Sequence, residues 1–347
     1  MAKTKNDNLK FIDLFAGIGG FHLALHDLGA KCVFASEWDE LARQTYEKNF
    51  QKIQPSLFEK GLFAKEGQEL FAGDITKVNP KKIPDFDILC GGFPCQPFSI
   101  SGKQKGFQDT RGTLFFNVLE IIKAKKPKVV FLENVKHLKY HDNKKTLSVI
   151  IENLENIGYK TEWKILNAKD FGLAQNRERI IIIGHKDKRF DFGKIKKDSS
   201  KTIKDIMEKD VEFEYLKKEE YTILPKDKWK KQDSGLIFCG YRNKSIRTNG
   251  TRPNTEHLSR VHKQPNRIYF IGGTHPTIPS QESSGRFWIY DGKKVRKLTV
   301  NECFRLQGFP DNFKKVSTNG ALYNQIGNAV AVPMIKEVTK EIINQLL

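Results

Sequence analysis

Short apolar runs alternate with amphipathic segments along the first half of the chain. Runs typical of β-strands lie at 11–15, 32–36, 86–90, 129–132, 161–166 and 179–184. Segments with the helical spacing of apolar residues lie between most of them, at 21–28, 41–49, 114–123 and 146–156. Such alternation implies parallel strands joined by crossover helices. The pattern therefore predicts the α/β class, with a doubly wound, mostly parallel sheet covered on both faces.

This alternation ends near residue 190. Residues 191–232 are rich in charges, and residues 233–296 mix Gly, Pro and Arg with short β-like runs such as Arg267–Ile271. Helical spacing returns at Thr299–Leu306 and again from Val332 to the end. We therefore predict a first domain over 1–190 and a smaller, irregular, β-rich domain over 191–296. Segment 297–347 is predicted to return its last helix to the first domain.

The charge of the chain indicates a polyanionic partner. Sixty Lys and Arg stand against 41 Asp and Glu, for a formal net charge of +19. The excess is concentrated between 231 and 300, where six Lys and seven Arg face four acids. A Lys-rich composition alone also fits a basic proteome, but this concentration, with Arg prominent, favours contacts to phosphates and base edges.

Composition also argues against membrane-spanning, secreted and metal-binding proteins. No apolar run approaches the roughly 20 residues that span a bilayer, and the polar first ten residues lack an apolar signal core. Five scattered cysteines favour a reducing compartment, so we expect a cytoplasmic protein. No Cys or His spacing suggests a bound metal.

A glycine-rich turn follows the first predicted strand. The sequence Asp-Leu-Phe-Ala-Gly-Ile-Gly-Gly at 13–20 opens the first helix, where glycines let a ligand approach the backbone. Glu37 stands about 20 residues further on, the position of an acid that holds a ribose hydroxyl. His22 replaces the third glycine of a dinucleotide site, so adenosine carrying methionine is the better ligand. Trp38 is either a stacking partner for adenine or a core residue.

Cys95 stands apart from the other cysteines. It lies in Gly-Gly-Phe-Pro-Cys-Gln-Pro-Phe-Ser at 91–99, directly after a predicted strand and outside any apolar run. The carboxyl edge of an α/β sheet is where sites form, so this placement favours a nucleophile. Cys32, Cys90, Cys239 and Cys303 are interpreted as packing residues. The Gly- and Lys-containing loop after Cys95 is predicted to form a phosphate-seeking lid.

Two further polar segments follow predicted strand positions at the same edge. Glu133-Asn-Val comes directly after the strand at 129–132. Gln175-Asn-Arg177-Glu-Arg179 precedes the strand at 180–184 and offers guanidinium groups. Of the two arginines, Arg177 is expected in the site, and Arg179 is assigned either to packing or to a DNA contact.

Together these motifs resemble those of the bacterial DNA cytosine-5 methyltransferases of restriction–modification type. The resemblance is carried, in the family's order, by segments 15–20, 92–99, 133–135, 175–179, Arg296–Pro310 and Gln325–Val330. It covers roughly 10–185 and 295–335 and leaves the basic middle segment as the variable part. It implies the S-adenosylmethionine-dependent methyltransferase fold, a catalytic and cofactor-binding domain over 1–190 and a target-recognition domain over 191–296.

The resemblance also implies a mechanism and a site. Cys95 is expected to add to carbon 6 of a flipped-out cytosine, with Glu133 at N3 and Arg177 at the base carbonyl. S-adenosylmethionine is the expected methyl donor, leaving S-adenosylhomocysteine. The residues expected to bind it are Phe15, Gly17, Gly19, Glu37, Trp38, Asp74, Ile75, Pro94 and Asn328.

Double-stranded DNA is the expected partner of a monomeric protein, and a restriction endonuclease of the same specificity can accompany it. Residues expected to contact DNA are Gln96, Ser99, Ser101, Lys103, Arg111, Arg179, Arg242, Arg247, Arg252 and Thr277. Two alternatives stay open at this point. One is a transfer-RNA cytosine-5 methyltransferase of the same fold, and the other is a DNA-binding protein without catalytic activity.

Overall fold

The structure is a computed structural model that describes residues 8–59, 69–94, 114–244, 254–280 and 288–347. The described residues form two compact units. The first lies within 1–166, 178–196 and 334–347, and the second within 167–177 and 197–333. None of the helices in these described ranges has the length and apolar character needed to cross a lipid bilayer.

The first unit contains the alternating strands and helices that the apolar pattern predicts. In chain order they are β1 (Lys10–Leu14), α1 (Gly20–His26), β2 (Lys31–Ser36), α2 (Glu40–Phe50), β3 (Phe71–Ala72), β4 (Ile88–Gly91), α3 (Leu114–Lys125), β5 (Val129–Val135), α4 (Lys145–Asn156), β6 (Lys160–Asn167), then β7 (Gln175–Asn176) of the second unit, and β8 (Glu178–His185). The short strand β3 was not predicted, because two residues give no periodic signal.

All of these strands except β7 form one seven-stranded sheet with the order β3-β2-β1-β4-β5-β8-β6. The pairs β2–β3, β1–β2, β1–β4 and β4–β5 are parallel, and β8 runs antiparallel to β5. The predicted doubly wound, mostly parallel sheet is therefore confirmed. The strand order reverses between β1 and β4, and in open α/β sheets ligands bind at the carboxyl ends of strands at such a reversal.

Burial explains why these segments form strands and helices. All four residues of β4 and the first six of β5 are buried, as expected of central strands covered on both faces. On α4, the apolar residues Leu147, Ile150 and Leu154 recur at helical spacing and enter the core. Asp39 caps the start of helix α2, because its carboxylate accepts a 2.8 Å hydrogen bond from the Ala42 N–H.

The second unit is built from short strands. They are β9 (Tyr221–Ile223), β10 (Lys230–Lys231), β11 (Ile237–Arg242), β12 (Arg267–Phe270), β13 (His275–Pro276), β14 (Trp288–Tyr290) and β15 (Val295–Lys297). Six of them form a sheet around β11 and β12, and β13 pairs in parallel with β7. Helices α5 (Val300–Leu306) and α6 (Asn319–Asn328) follow them, and α7 (Val332–Leu346) ends the chain.

The division of the chain differs in detail from the predicted domain bounds. Residues 297–333 and the short segment 167–177 both lie in the second unit. The sequence predicted 297–333 as part of a separate hinge segment, and 167–177 as part of the first domain. Residues 334–347 belong to the first unit, where Lys336 forms a 2.7 Å ion pair with Asp27. Helical periodicity marks α7 but carries no information about the unit in which its neighbours pack.

Candidate active site

The turn after β1 is shaped by glycine geometry. Gly17 and Gly19 both have positive φ angles, as does Phe15, whose φ of 55° is uncommon for a residue with a side chain. A Cβ atom on Gly19 would lie 2.2 Å from the Phe50 ring, so no larger residue fits there. The turn thus brings backbone close to the sheet edge at the β1–β4 reversal, where a ligand can reach it.

Glu37 is oriented toward this turn. Its carboxylate accepts hydrogen bonds from the Gly17 N–H at 2.7 Å and from the Asp39 N–H at 2.8 Å. Burial raises the pKa of Glu37, and the two backbone donors oppose that shift. A carboxylate held in this way is set to accept hydrogen bonds from hydroxyl groups of a ligand.

Trp38 does not belong to the core. Its side chain is 81% exposed, next to a half-buried Glu37 at the end of β2. An indole ring so exposed at a sheet edge is available for stacking, which removes the core alternative raised by the sequence. His22, by contrast, is buried and stacks on Phe50 with the ring centroids 3.9 Å apart.

Asp74 and Ile75 follow β3 at the same sheet edge. The Asp74 carboxylate accepts hydrogen bonds from the Thr76 N–H at 2.9 Å and the Thr76 hydroxyl at 2.8 Å. Ile75 is buried in the core, whereas Pro94, after β4, is exposed. Hence the segments after β1, β2, β3 and β4 place all first-unit residues predicted to bind the cofactor along one edge.

The loop that leads to Cys95 is fixed by Asn134 of β5. The Asn134 side-chain amide donates a 2.8 Å hydrogen bond to the Phe93 carbonyl, and Phe93 itself is buried. Asn134 was not predicted to have a role, although its place in the Glu-Asn-Val motif was a signal. Cys95 itself, with Gln96, Ser99, Ser101, Lys103 and Arg111, lies outside the described residues.

Glu133 lies beside that loop and is paired with Arg179. Glu133 Oε1 is 3.0 Å from Arg179 Nε, and Glu133 Oε2 lies 3.6 Å from the position of a Cβ on Gly92. Burial lowers the pKa of Arg179, and the Glu133 carboxylate opposes that shift. The site therefore holds a carboxylate whose orientation is fixed by an ion pair, close to the Gly-Phe-Pro segment before Cys95.

The two arginines of the Gln-Asn-Arg-Glu-Arg motif make different contacts. Arg177 is fully buried, and its guanidinium donates to the carbonyls of Gly327 at 3.0 Å and Ala329 at 2.8 Å. Arg179, expected to serve packing or DNA, is the one that contacts Glu133. The pairing is set by the register of β8 against β5, where Glu133 lies opposite Ile181. Spacing within the motif could not show this.

The other four cysteines are buried, as predicted. Cys32 is 1% exposed, and Cys90, Cys239 and Cys303 are 0% exposed. Burial raises the pKa of each of these thiols, which keeps them protonated and unreactive. No group of His, Cys, Asp or Glu within the described ranges could hold a metal ion.

In the second unit, two residues predicted to contact DNA are described. Arg242 lies at the end of β11 with its guanidinium carbon 5.0 Å from the Trp288 ring centroid. Thr277 follows β13 and donates a 2.8 Å hydrogen bond to the Asn176 carbonyl. Arg247 and Arg252 lie outside the described residues. Asn328, the last residue of α6, is exposed, and its side-chain N–H donates a 3.0 Å hydrogen bond to the side-chain oxygen of Asn324.

Comparisons with known proteins match nearly the whole chain. A family model described as C-5 cytosine-specific DNA methylase matches residues 9–344. The chain is 41% identical over 345 residues to the Type II methyltransferase M.HhaI of Haemophilus parahaemolyticus, covering 96% of this chain and 94% of the relative. It is 42% identical over 356 residues to M.HpaII of Haemophilus parainfluenzae, covering 98% and 92%.

Solved structures share the fold at lower identity. A DNMT2 mutant from Spodoptera frugiperda has a TM-score of 0.66 at 18% identity, covering 97% of this chain and 100% of that one. A prophage-encoded putative DNA modification methyltransferase from E. coli has a TM-score of 0.66 at 21% identity, covering 98% and 99%.

Proposed function

The chain belongs to the C-5 cytosine-specific DNA methylase family and is a DNA cytosine-5 methyltransferase of restriction–modification type, and we propose the chemistry by which it acts. It methylates carbon 5 of a flipped-out cytosine within a specific double-stranded DNA sequence, through a covalent bond between Cys95 and carbon 6. The observation that carries this proposal is the Glu133 carboxylate, held by Arg179 beside the loop that leads to Cys95.

Cys95 is the proposed nucleophile because the other cysteines are unsuited to the task. Each of the four is buried and has a raised thiol pKa, so none forms the thiolate that attacks a base. Addition of the Cys95 thiolate to carbon 6 makes carbon 5 electron-rich. After methylation, carbon 5 loses its proton and the thiolate leaves, which regenerates the enzyme.

Glu133 and Arg179 serve the same step from the other side of the base. Addition at carbon 6 increases electron density at N3. Glu133 relieves it in its protonated form, by donating a hydrogen bond or its proton to N3. Arg179 orients that carboxyl group through its 3.0 Å contact. We assign to Arg179, in place of Arg177, the role of stabilising polarity at the base, because Arg177 donates to backbone carbonyls.

S-adenosylmethionine supplies an electrophilic methyl group when bound. The features that fit it are the open backbone of Gly17, the tight turn at Gly19, the oriented Glu37 carboxylate and the exposed Trp38 ring. Glu37 binds ribose hydroxyls, and Trp38 stacks on adenine. By the family resemblance, Phe15, Asp74, Ile75, Pro94 and Asn328 complete the set.

Double-stranded DNA is bound through the basic middle segment, in which Arg242 and Thr277 are proposed contacts. Arg247, Arg252 and the segment with Gln96, Ser99, Ser101, Lys103 and Arg111 are proposed to add further DNA contacts. The net charge of +19 favours association with DNA, and the affinity is expected to fall steeply with salt. We propose that the enzyme acts as a cytoplasmic monomer, alongside a restriction endonuclease of the same specificity.

One experiment tests the covalent mechanism directly. DNA in which the target cytosine is 5-fluorocytosine has no proton to lose at carbon 5, so the enzyme should form a stable adduct with it. The adduct is detected as a shift on a denaturing gel. Bisulfite sequencing of plasmid from expressing cells supplies the target sequence.

Cys95→Ser is the matched variant. It should form no adduct and lose turnover while still binding S-adenosylmethionine. Loss of cofactor binding along with turnover would assign Cys95 to the fold instead. An adduct retained in Cys95→Ser would assign the nucleophile elsewhere, and methylation of transfer RNA rather than DNA would favour the alternative substrate.

A further inference from the structure

One buried guanidinium in the second unit joins two segments that the proposed function assigns to different substrates. We propose that Arg177 is a positioning residue, which fixes the backbone that presents Asn328 to the cofactor and the backbone that presents Thr277 to DNA. The inference rests on the proposed function, because it takes these two assignments from there.

The first contact of Arg177 is with the end of helix α6. One of its terminal nitrogens donates to the Gly327 carbonyl at 3.0 Å and to the Ala329 carbonyl at 2.8 Å. The last carbonyls of a helix have no partner within the helix and carry partial negative charge. A buried cation at this position therefore satisfies acceptors on both sides of Asn328 and fixes the backbone on which Asn328 stands.

The second contact of Arg177 is with the segment after β13. Its other terminal nitrogen points to the Ile278 carbonyl at 3.4 Å. The neighbouring Thr277 donates its hydroxyl to the Asn176 carbonyl at 2.8 Å, and β13 pairs in register with β7, directly before Arg177. The same short segment of chain thus holds Thr277 through its backbone and α6 through its guanidinium.

The packing around these contacts leaves little freedom. A Cβ atom on Gly327 would lie 2.0 Å from the Pro279 carbonyl oxygen, so the end of α6 and the segment after Ile278 approach at backbone distance. Gln307 adds hydrogen bonds to the carbonyls of Ile326 and Ala329, both at 3.0 Å. Gln175 accepts a 3.0 Å hydrogen bond from the Ile278 N–H and donates to Gln307 at 3.2 Å, so in these contacts it reaches α6 only through Gln307. Among these three residues, Arg177 is the one whose own side chain contacts both the Ile278 carbonyl and the carbonyls at the end of α6.

Arginine is suited to this task for a geometric reason. Its planar fork directs several N–H groups at fixed angles, whereas the single ammonium of lysine cannot serve acceptors on two sides with the same geometry. A positive charge at this position is therefore not enough to hold both segments. Arg177→Lys keeps the cation and should still lose the fixed spacing between the two segments.

The test compares steady-state KM values for S-adenosylmethionine and for DNA. Arg177→Lys and Arg177→Met should raise both KM values, each by about tenfold, the effect expected when buried carbonyls lose a charged donor. The kcat at saturation of both substrates should change much less, because Cys95 and Glu133 are untouched. Gln307→Met is the matched control, and it should raise only the KM for S-adenosylmethionine.

Several outcomes would overturn the inference. They are unchanged KM values in the Arg177 variants, a rise for one substrate alone, or a loss confined to kcat. Unfolding of both variants, seen by circular dichroism, would also do so, because Arg177 would then serve stability only. Asn328→Ala and Thr277→Val separate this result from the proposed function. If neither changes a KM, the site assignments fail. If both of these variants raise a KM and the Arg177 variants do not, only the present inference fails.

Discussion

Arg179 Nε lies 3.0 Å from Glu133 Oε1, and the two side chains are only 10% and 9% exposed. An ion pair so shielded from water holds its geometry better than an exposed one, and removing either partner leaves an uncompensated charge. The pair therefore acts as a unit that fixes the orientation of the Glu133 carboxyl group.

We expect Glu133→Gln and Arg179→Ala each to reduce kcat for methyl transfer to DNA by about 10²–10³, as for other preorganised donors that act in a transition state. The double variant should lose little more than either single variant, because the residues share one interaction. Lys136→Met is the control, since its 2.8 Å pair with Glu178 is half-exposed. Full additivity of the two losses would contradict the shared role.

Trp38→Ala should raise the KM for S-adenosylmethionine by about tenfold, the effect expected when an aromatic stacking partner of a base is removed. Its melting temperature should not change, because the side chain is 81% exposed and supports no core. Trp163→Ala removes another exposed indole, on the edge strand β6, and should leave the KM unchanged. Equal effects of the two substitutions would show that Trp38 has no specific partner.

Asp13 gives a prediction about pH. It is fully buried at the end of β1, and desolvation raises the pKa of its carboxyl well above the usual value, with Glu37 adding to the shift and a backbone hydrogen bond from His22 opposing it. The folded state therefore holds a proton that the unfolded state releases above about pH 4. The stability that this group contributes is present below that pH and is lost as pH rises toward the folded pKa.

Asp13→Asn should remove this loss, since an amide needs no proton to stay neutral. We expect the variant to melt higher than the parent at neutral pH, with the difference shrinking as pH falls toward 4. Cys32, Tyr46 and Cys90 interact electrostatically with the carboxyl group and stay neutral at these pH values, because burial raises the pKa of each. Burial lowers the pKa of His22, which favours its neutral form. A constant difference across the pH range would contradict this account.

The second unit contains a fully buried ion pair. Arg296 and Glu302 are 1% and 0% exposed, their closest atoms are 2.7 Å apart, and the Arg296 guanidinium lies over the Phe213 ring. Arg296→Met should lower the free energy of unfolding in urea by about 3–5 kcal/mol, because Glu302 is left buried without its cation. Replacing Arg296 by Met and Glu302 by Leu together should lower the free energy of unfolding less than Arg296→Met alone, because no buried charge is then left without a partner.

Asp311→Asn is the control for that measurement. It breaks the Arg305–Asp311 pair, in which Asp311 is 68% exposed, and should cost less than about 1 kcal/mol. If Arg296→Met lowered the free energy of unfolding no more than Asp311→Asn does, burial of the Arg296–Glu302 pair would not contribute to the stability of this unit as proposed.

Local signals determined much of the first unit. The strands β1, β2, β4, β5, β6 and β8 and the helices between them follow from apolar periodicity, which depends only on neighbours along the chain. The glycine turn after β1 followed in the same way, because Gly17 and Gly19 adopt conformations that side chains disfavour. Cys95 stood out because its Pro- and Ser-containing surroundings differ from an apolar strand, whereas the other four cysteines, predicted as packing residues, are buried.

The partners of charged side chains were decided by the tertiary structure alone. Arg177 and Arg179 differ by two positions in one motif, yet the first donates to carbonyls 150 and 152 residues away and the second pairs with Glu133. Trp38 likewise had a core and a surface interpretation until its exposure was known. The sequence by itself determined most of the helices and strands of the first unit and singled out the candidate reactive residues, since both depend on short-range patterns. Which charge meets which acceptor depends on strand register and long-range packing, and only the folded structure decides it.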